Sequence, residues 1–313
     1  MMTTLKFRNN DEMPILGLGT FRSEPNEVYN AVLSAIKMGY RHIDCAAAYG
    51  NEKEVGNAIA EAIKQGLIMR NDLWVTSKLW NASHGEENVI PALHQTLEDL
   101  QLEYLDLYLI HWPVALKKGT EMPEKASDFI PLSEVPLTNT WKGMEAALEQ
   151  GLAKHIGVSN FNENQLKEIM ATAVHQPEMN QVEMHPFLQQ EALQSFCVKN
   201  DILLTAYAPL GSLVDENSTL RLLENDTIKT IAEARHMSPA KVALAYTMQR
   251  GIAVIPKSIN EARLLQNLET LYHTLTEEDM ALLKDLDKGH RFIDGKFWEV
   301  DNGPYTADSI WNA

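Results

Sequence analysis

Residues 39–56 read GYRHIDCAAAYGNEKEVG. An apolar run ends on a carboxylate, Asp44, and five residues further on stands a tyrosine, Tyr49. A surface strand followed by an ordinary turn gives no reason for an aspartate where the apolar residues stop. A barrel or an open parallel sheet does give one, if the C-terminal end of the strand faces an active site. The rest of the chain decides between these.

Working outward, short β-rich runs alternate with amphipathic helical patterns. The candidate strands are PILGLGT (14–20), YRHIDCA (40–46), LWVTSK (73–78), LDLYLIHW (105–112), HIGVSN (155–160), EMNQVEM (178–184), ILLTAYAP (202–209) and IAVIPKS (252–258). Between them lie segments such as EVYNAVLSAIKMG, with apolar residues at helical spacing and a glycine at the stop, as a left-handed C-cap requires. Strand and helix in alternation imply a (β/α)₈ TIM barrel more naturally than a doubly wound sheet. No Pro/Ser-rich linker interrupts residues 1–313, so one domain is expected. Two segments exceed a minimal barrel: a proline-rich loop after the fourth strand (113–139) and an aromatic C-terminal stretch (288–313). Long inserts beside a barrel mouth are usually functional. The tail is therefore expected to cover the mouth and line a substrate pocket rather than support the barrel, its aromatics lying off core periodicity.

Composition excludes several classes. With 43 acidic against 27 basic side chains, the formal net charge of −16 argues against nucleic acid as a partner. The two cysteines, Cys45 and Cys197, are far apart in sequence and lack metal-ligand spacing, as in a reduced compartment. Cys45 is expected to be a small buried hydrophobe. The first residues, MMTTLKFRNNDEM, contain no apolar core of signal-peptide length, and no run of 18 apolar residues occurs. The expectation is a cytoplasmic protein with no membrane partner. The histidines form no close ligand pair, so no metal is expected.

The C-terminal ends of barrel strands form the catalytic face. Read off the sequence, they carry Asp44, Lys78, His111, Ser159 with Asn160, Gln181 with Glu183, Tyr207, and Lys257 with Ser258. Any one of these has an ordinary structural reading; the set does not. A tyrosine is a poor acid near neutrality, with a free pKa of about 10. A neighbouring ammonium favours its phenolate and moves it toward the working range. Lys78 is placed to be that ammonium, held by Asp44, with His111 directed at a substrate oxygen. Such a group can protonate a developing alkoxide, which suits carbonyl reduction once a hydride is supplied.

At this point the chain resembles the aldo-keto reductase family, in its aldose, xylose and aldehyde reductase-like branch. After GYRHIDCAAAYGNEKEVG come LYLIHWP (107–113), IGVSNF (156–161), QVEMHP (181–186), AYAPLGS (206–212) and IPKSINEARLLQN (255–267), in the family's order. The resemblance implies reduction of aldehydes, either aldoses or small aliphatic and aromatic carbonyls, by NADPH. It implies the tetrad Asp44, Tyr49, Lys78 and His111, with Tyr49 as general acid. It implies cofactor contacts from Thr20, Ser159, Asn160, Gln181, Tyr207, Leu210, Ser212, Lys257, Ser258, Arg263, Gln266 and Asn267. Phe21, Trp80, His111, Trp112 and Trp298 are the implied substrate pocket, and a monomer or weak dimer is the implied state.

The residues themselves agree with that cofactor mode. No G-x-G-x-x-G precedes a helix, whereas SINE (258–261) has a capping-box pattern flanked by Lys257 and Arg263, where an anion would be held. Departures from the family pattern are Ala208 for serine, Gln266 for glutamate, Phe21 for tryptophan, and a short loop, LVDENSTL, without the usual aspartate in register. Gln266 and the short loop leave NADH open as a second cofactor. Two other classes remain at this stage: a non-catalytic binding module on the same fold, and a hydrolase or isomerase using His111 with Glu183.

Overall fold

The computed structural model describes residues 3–23, 26–211 and 220–312. Eight strands form one sheet: Leu18–Gly19, His42–Asp44, Trp74–Leu79, Leu105–Ile110, Ala153–Ser159, Met179–Glu183, Leu203–Tyr207 and Ala253–Val254. Each pairs in parallel with the next in chain order. Bridges from Leu16 to Val254 and from Gly19 to Lys257 join the first strand to the eighth, with Gly17 N–H donating to Val254 O at 2.9 Å. The sheet closes into a (β/α)₈ barrel. At Gly19 a Cβ would lie 2.7 Å from the carbonyl oxygen of Ile255, so the closing seam admits no side chain there.

Helices return the chain between strands. The first, Glu27–Met38, buries Val28, Ala31, Val32, Ala35 and Ile36 and is stopped by Gly39 at φ 111°. That is the helical apolar stripe expected of a barrel helix. Helices Glu52–Lys64, Glu86–Leu100, Leu137–Glu149, Glu163–Met170 and Glu191–Lys199 follow in turn. Two helices, Asp226–Arg235 and Pro239–Gln249, separate the seventh and eighth strands, and Glu261–Leu268 follows the eighth.

Three features differ from the sequence expectation. The run 14–20 is not one strand: Glu12–Pro14 pairs antiparallel with Thr4–Lys6, and the barrel strand begins only at Leu18. This hairpin is tied to the N-terminal end of the barrel. Buried His155 contacts both Asp11 (3.1 Å) and Glu178 (2.8 Å), with Phe7 and Trp74 packed on its ring. The loop after the fourth strand contains a short antiparallel pair, Ala115–Leu116 with Phe129–Ile130. The C-terminal stretch is core as well as periphery. Trp298 is fully buried and clusters with Trp112, Val114, Leu116, Phe129, Tyr305 and Ile310. Tyr305 Oη accepts from Ala115 N–H at 3.0 Å and donates to Ile130 O at 2.9 Å, joining tail to insertion.

Candidate active site

The C-terminal ends of the strands bring the predicted residues together. Asp44 ends the second strand and Lys78 lies on the third; both are 1% exposed. An ammonium has three N–H donors, and all three are accounted for. Lys78 Nζ lies 2.5 Å from Asp44 Oδ1, 2.7 Å from Cys45 O and 3.4 Å from Tyr49 Oη. The remaining oxygen of Asp44 accepts from Gln181 Nε2 at 2.7 Å, and its backbone carbonyl from Thr20 Oγ1 at 2.8 Å. The carboxylate is thus held by side chains from two other strands, the third and the sixth, and the backbone carbonyl by Thr20. The bond from Gln181 was not foreseen, because nothing in the sequence links strands two and six.

Burial opposes the charge on Lys78, but Asp44 and the phenol oxygen hold its pKa above the usual value. For Tyr49 the outcome differs from the sequence expectation. Burial pushes the phenol up to about 12, and Lys78 only partly offsets it. Tyr49 is therefore protonated at neutral pH, in the form a proton donor needs. His111 lies edge-on to Tyr49 and Trp80, with ring centroids 5.8 and 5.5 Å away. Burial and the charge of Lys78 push this imidazole well below its ordinary pKa, so it is neutral. A neutral imidazole offers one donor and one acceptor, and its Nδ1 is buried without a partner among the described residues.

A second network continues from His111. Asn160, with a left-handed φ of 65°, donates to His111 O (3.0 Å) and Ser159 Oγ (3.2 Å) and accepts from Tyr207 Oη (2.6 Å). Ser159 Oγ donates to Gln181 O at 2.8 Å. Asn tolerates the left-handed region better than most residues, which fits Asn160 at this bend. Ala208, immediately after Tyr207, also has a left-handed φ, 45°, a strained position for alanine.

The predicted anion pocket is rearranged. Asn260, not Ser258, caps the helix Glu261–Leu268: its side chain accepts from Arg263 N–H at 3.0 Å. Ser258 Oγ instead accepts from Asn260 N–H at 3.1 Å, in the turn that precedes the helix. Lys257 and Arg263 are exposed. Among the described residues neither is in an ion pair, despite the acidic excess of the chain. Two unpaired cations at a helix N-terminus fit the phosphate of a dinucleotide. Gln266 is half-buried and Asn267 buried on the same helix, and Leu210 is half-buried beyond Tyr207. Ser212 lies outside the described residues.

The pocket aromatics are partly assembled as expected. Phe21 is exposed and packs on Tyr49, with ring centroids 5.0 Å apart. Trp298 neighbours both Trp80 and Trp112, its ring centroid 5.9 Å from that of Trp80 and 5.7 Å from that of Trp112. Trp298 is wholly enclosed, and its Nε1 has no partner among the described residues. Glu183, considered above as a base with His111, is spent elsewhere. It contacts His185 at 2.8 Å and accepts from the backbone N–H groups of Phe292 and Ile293 at 2.8 and 2.9 Å. The hydrolase reading loses its base. Cys45 is buried, and burial pushes its thiol well above its usual pKa, so it is not a reactive thiolate.

Residues 15–288 match the sequence profile of the Aldo/keto reductase family. The chain belongs to this family. It is 45% identical over 309 residues to an aldo/keto reductase of Synechocystis sp., covering 97% of this chain and 94% of that protein. It is 44% identical over 288 residues to human aldo-keto reductase family 1 member A1, covering 90% and 88%. The fold superposes on the aldose reductase of Schistosoma japonicum with a TM-score of 0.88 at 38% identity, covering 95% and 96% of the two chains. A Bombyx mori aldo-keto reductase solved in complex with NADP gives 0.85 at 38% identity, covering 94% and 96%. As an aldo-keto reductase the protein is an NAD(P)H-dependent oxidoreductase acting on small carbonyl compounds. Among the described residues, no helix is long and apolar enough to cross a membrane.

Proposed function

We propose that this aldo-keto reductase reduces aldehydes to alcohols with NADPH, Tyr49 serving as general acid. The observation that carries the reading is the ammonium of Lys78, fixed by Asp44 and Cys45 O with its third donor toward Tyr49 Oη. When bound, the reduced nicotinamide supplies a hydride to the carbonyl carbon. Tyr49 gives its proton to the carbonyl oxygen as negative charge develops there, and neutral His111 donates a hydrogen bond to the same oxygen. The Lys78 contact is long, 3.4 Å, while the phenol keeps its proton. It strengthens as phenolate forms, so it favours the transition state over the ground state. Asp44 keeps Lys78 charged, and Gln181 keeps Asp44 from turning away.

In this reading the nicotinamide end of the cofactor is held by Ser159, Asn160, Gln181 and Tyr207. Both donors of Asn160 are already engaged within the protein and its oxygen accepts from Tyr207, which leaves the second lone pair of that oxygen and Gln181 Oε1 for the carboxamide. Thr20 and Leu210 border the same cleft. Lys257, Ser258 and Arg263 take the 2′-phosphate, and Gln266 and Asn267 the adenine. NADH remains a second cofactor, since it needs none of the phosphate contacts. Phe21, Trp80, Trp112 and Trp298 make an apolar mouth suited to uncharged aldoses or small aromatic and aliphatic aldehydes. The insertion and the C-terminal stretch together act as its cover on a single-domain chain, working in the cytoplasm as a monomer or weak dimer.

A panel of aldehydes assayed by loss of reduced cofactor, with NADPH and NADH in parallel, tests the reading. Turnover of neutral aldehydes with a preference for NADPH supports it. Binding of NADPH without oxidation on any carbonyl compound would make the protein a cofactor-binding module instead.

A further inference from the structure

Glu52 opens the helix Glu52–Lys64, three residues after Tyr49, yet its side chain is nearly all buried. An acid in the first turn of a helix is ordinarily turned to water, where it answers the positive end of the helix dipole. This one is turned inward. Ser77 Oγ donates to Glu52 Oε1 at 2.5 Å, and Thr96 Oγ1 donates to Oε2 at 3.1 Å. Ser77 immediately precedes Lys78 on the third strand, and Thr96 lies on the helix Glu86–Leu100. One carboxylate therefore joins the helix that follows Tyr49, the strand that carries Lys78, and a third element behind both. Side chains alternate along a strand, so Ser77 faces the helices while Lys78 faces the barrel interior. The contact works on the strand from behind, without touching the reacting atoms.

We propose that Glu52 is a positioning residue for the proton donor: ionised, it clamps the turn bearing Tyr49 to the strand bearing Lys78, and protonation loosens the clamp. This rests on the assignment of Tyr49 as general acid. A groove of about 670 Å³, lined by Gly50, Glu52, Lys53, Thr96, Asp99 and Lys118 among others, lets the carboxyl exchange protons with solvent. The groups facing it are Lys78 from the third strand, Cys45 just past the end of the second, Tyr108 from the fourth strand and Asp99 from the helix behind. Lys53, paired with Asp99 at 3.7 Å, and Lys118 lie along the groove.

Burial raises the carboxyl to about 7, against the pull of Ser77, Thr96 and Lys78. With the folded pKa above the unfolded one, Glu52 favours folding when neutral, and that contribution is lost as pH rises through about 7. Positioning runs in the opposite direction, because hydrogen bonds to an ionised acceptor are roughly twice as strong as neutral ones. Stability falls as pH rises from the usual carboxylate value of 4.5 to about 7, where the gain in positioning sets in, so the two change in opposite senses. A purely structural glutamate would move both together.

The test is Glu52→Gln in the full-length enzyme with NADPH and an aldehyde, by single-turnover cofactor oxidation about two units either side of pH 7. The ratio of variant to wild-type rate should be near one on the acid side, where the side chain at position 52 is uncharged in both proteins. On the alkaline side it should fall to about a tenth, the order expected when catalytic groups are loosened by a fraction of an ångström. The variant's thermal midpoint should match wild type at acid pH and exceed it at alkaline pH. A rate ratio that stays flat with pH overturns the proposal. Glu52→Ala should be slow at every pH with an unchanged cofactor Kd; wild-type turnover there also overturns it, and the glutamine ratio decides without this variant if it does not fold. Tyr49→Phe is assayed beside them. If it retains turnover, the general-acid reading fails; if it is inactive and the glutamine ratio is flat, only the clamp fails.

Discussion

Lys78→Met removes the cation from an ion pair whose two side chains are each 1% exposed. Methionine nearly fills the volume, so the effect is electrostatic rather than a cavity. Asp44 Oδ1 and Cys45 O lose their donor, while Gln181 still holds Asp44 Oδ2. Breaking a buried pair by removing one partner costs about 3–5 kcal/mol. Against a total stability of about 5–15 kcal/mol, that is a large fraction. The buried carboxylate can relieve the strain by taking up a proton, so the deficit should shrink as pH falls. Tyr49 loses the positive charge that, against burial, holds its pKa down to about 12, so in the oxidation direction the limb that follows phenolate should move upward. The assay is urea unfolding at neutral and acid pH, with Asp44→Asn/Lys78→Met measured alongside. Replacing both charges leaves no unpaired ion, so the double variant should recover most of the lost stability and none of the turnover. A single variant within about 1 kcal/mol of wild type, the size of an exposed pair, would refute the argument. So would a double variant no more stable than the single.

Arg263→Ala should raise the NADPH Kd about ten- to a hundredfold, the equivalent of one charge-assisted bond, and make binding less sensitive to salt while NADH is unaffected; equal weakening of both in fluorescence titrations would mean that Arg263 supports the helix alone. Truncation after Lys288 should lower the thermal midpoint severely rather than only re-rank substrates. It strips Phe292 from one apolar cluster and Trp298, Tyr305 and Ile310 from another, each contributing about 1.5–3 kcal/mol by burial. It also leaves Glu183 without the N–H groups of Phe292 and Ile293; a midpoint within a few degrees of wild type would show that the tail is peripheral.

The tetrad was legible because a parallel barrel puts strand C-termini on one face, so polar residues closing apolar runs become spatial neighbours. Strand limits were read too long, since residues such as Tyr40 and His111 continue the apolar pattern beyond the ladder. The helix cap was misplaced for a local reason: Ser258 and Asn260 are both cap-forming residues two apart, and only the backbone distinguishes them. Glu52 looks like any acid in a first helical turn; its inward orientation depends on Ser77 and Thr96, far away in sequence. The tail was misjudged because its aromatics obey no helical or strand period, yet irregular chain can still bury Trp298 completely. The downward shift expected for Tyr49 failed because charge and desolvation compete, and the depth of burial cannot be read from spacing.

The central claim is that Tyr49 supplies the proton, and Tyr49→Phe tests it most directly. NADPH affinity, by fluorescence titration, should remain near wild type, since the lost hydroxyl touches Lys78 and not the cofactor residues. Turnover on every aldehyde should fall by about two to four orders of magnitude, the usual worth of a positioned general acid. A variant that binds NADPH normally and retains more than about a tenth of wild-type turnover on several aldehydes would contradict that assignment.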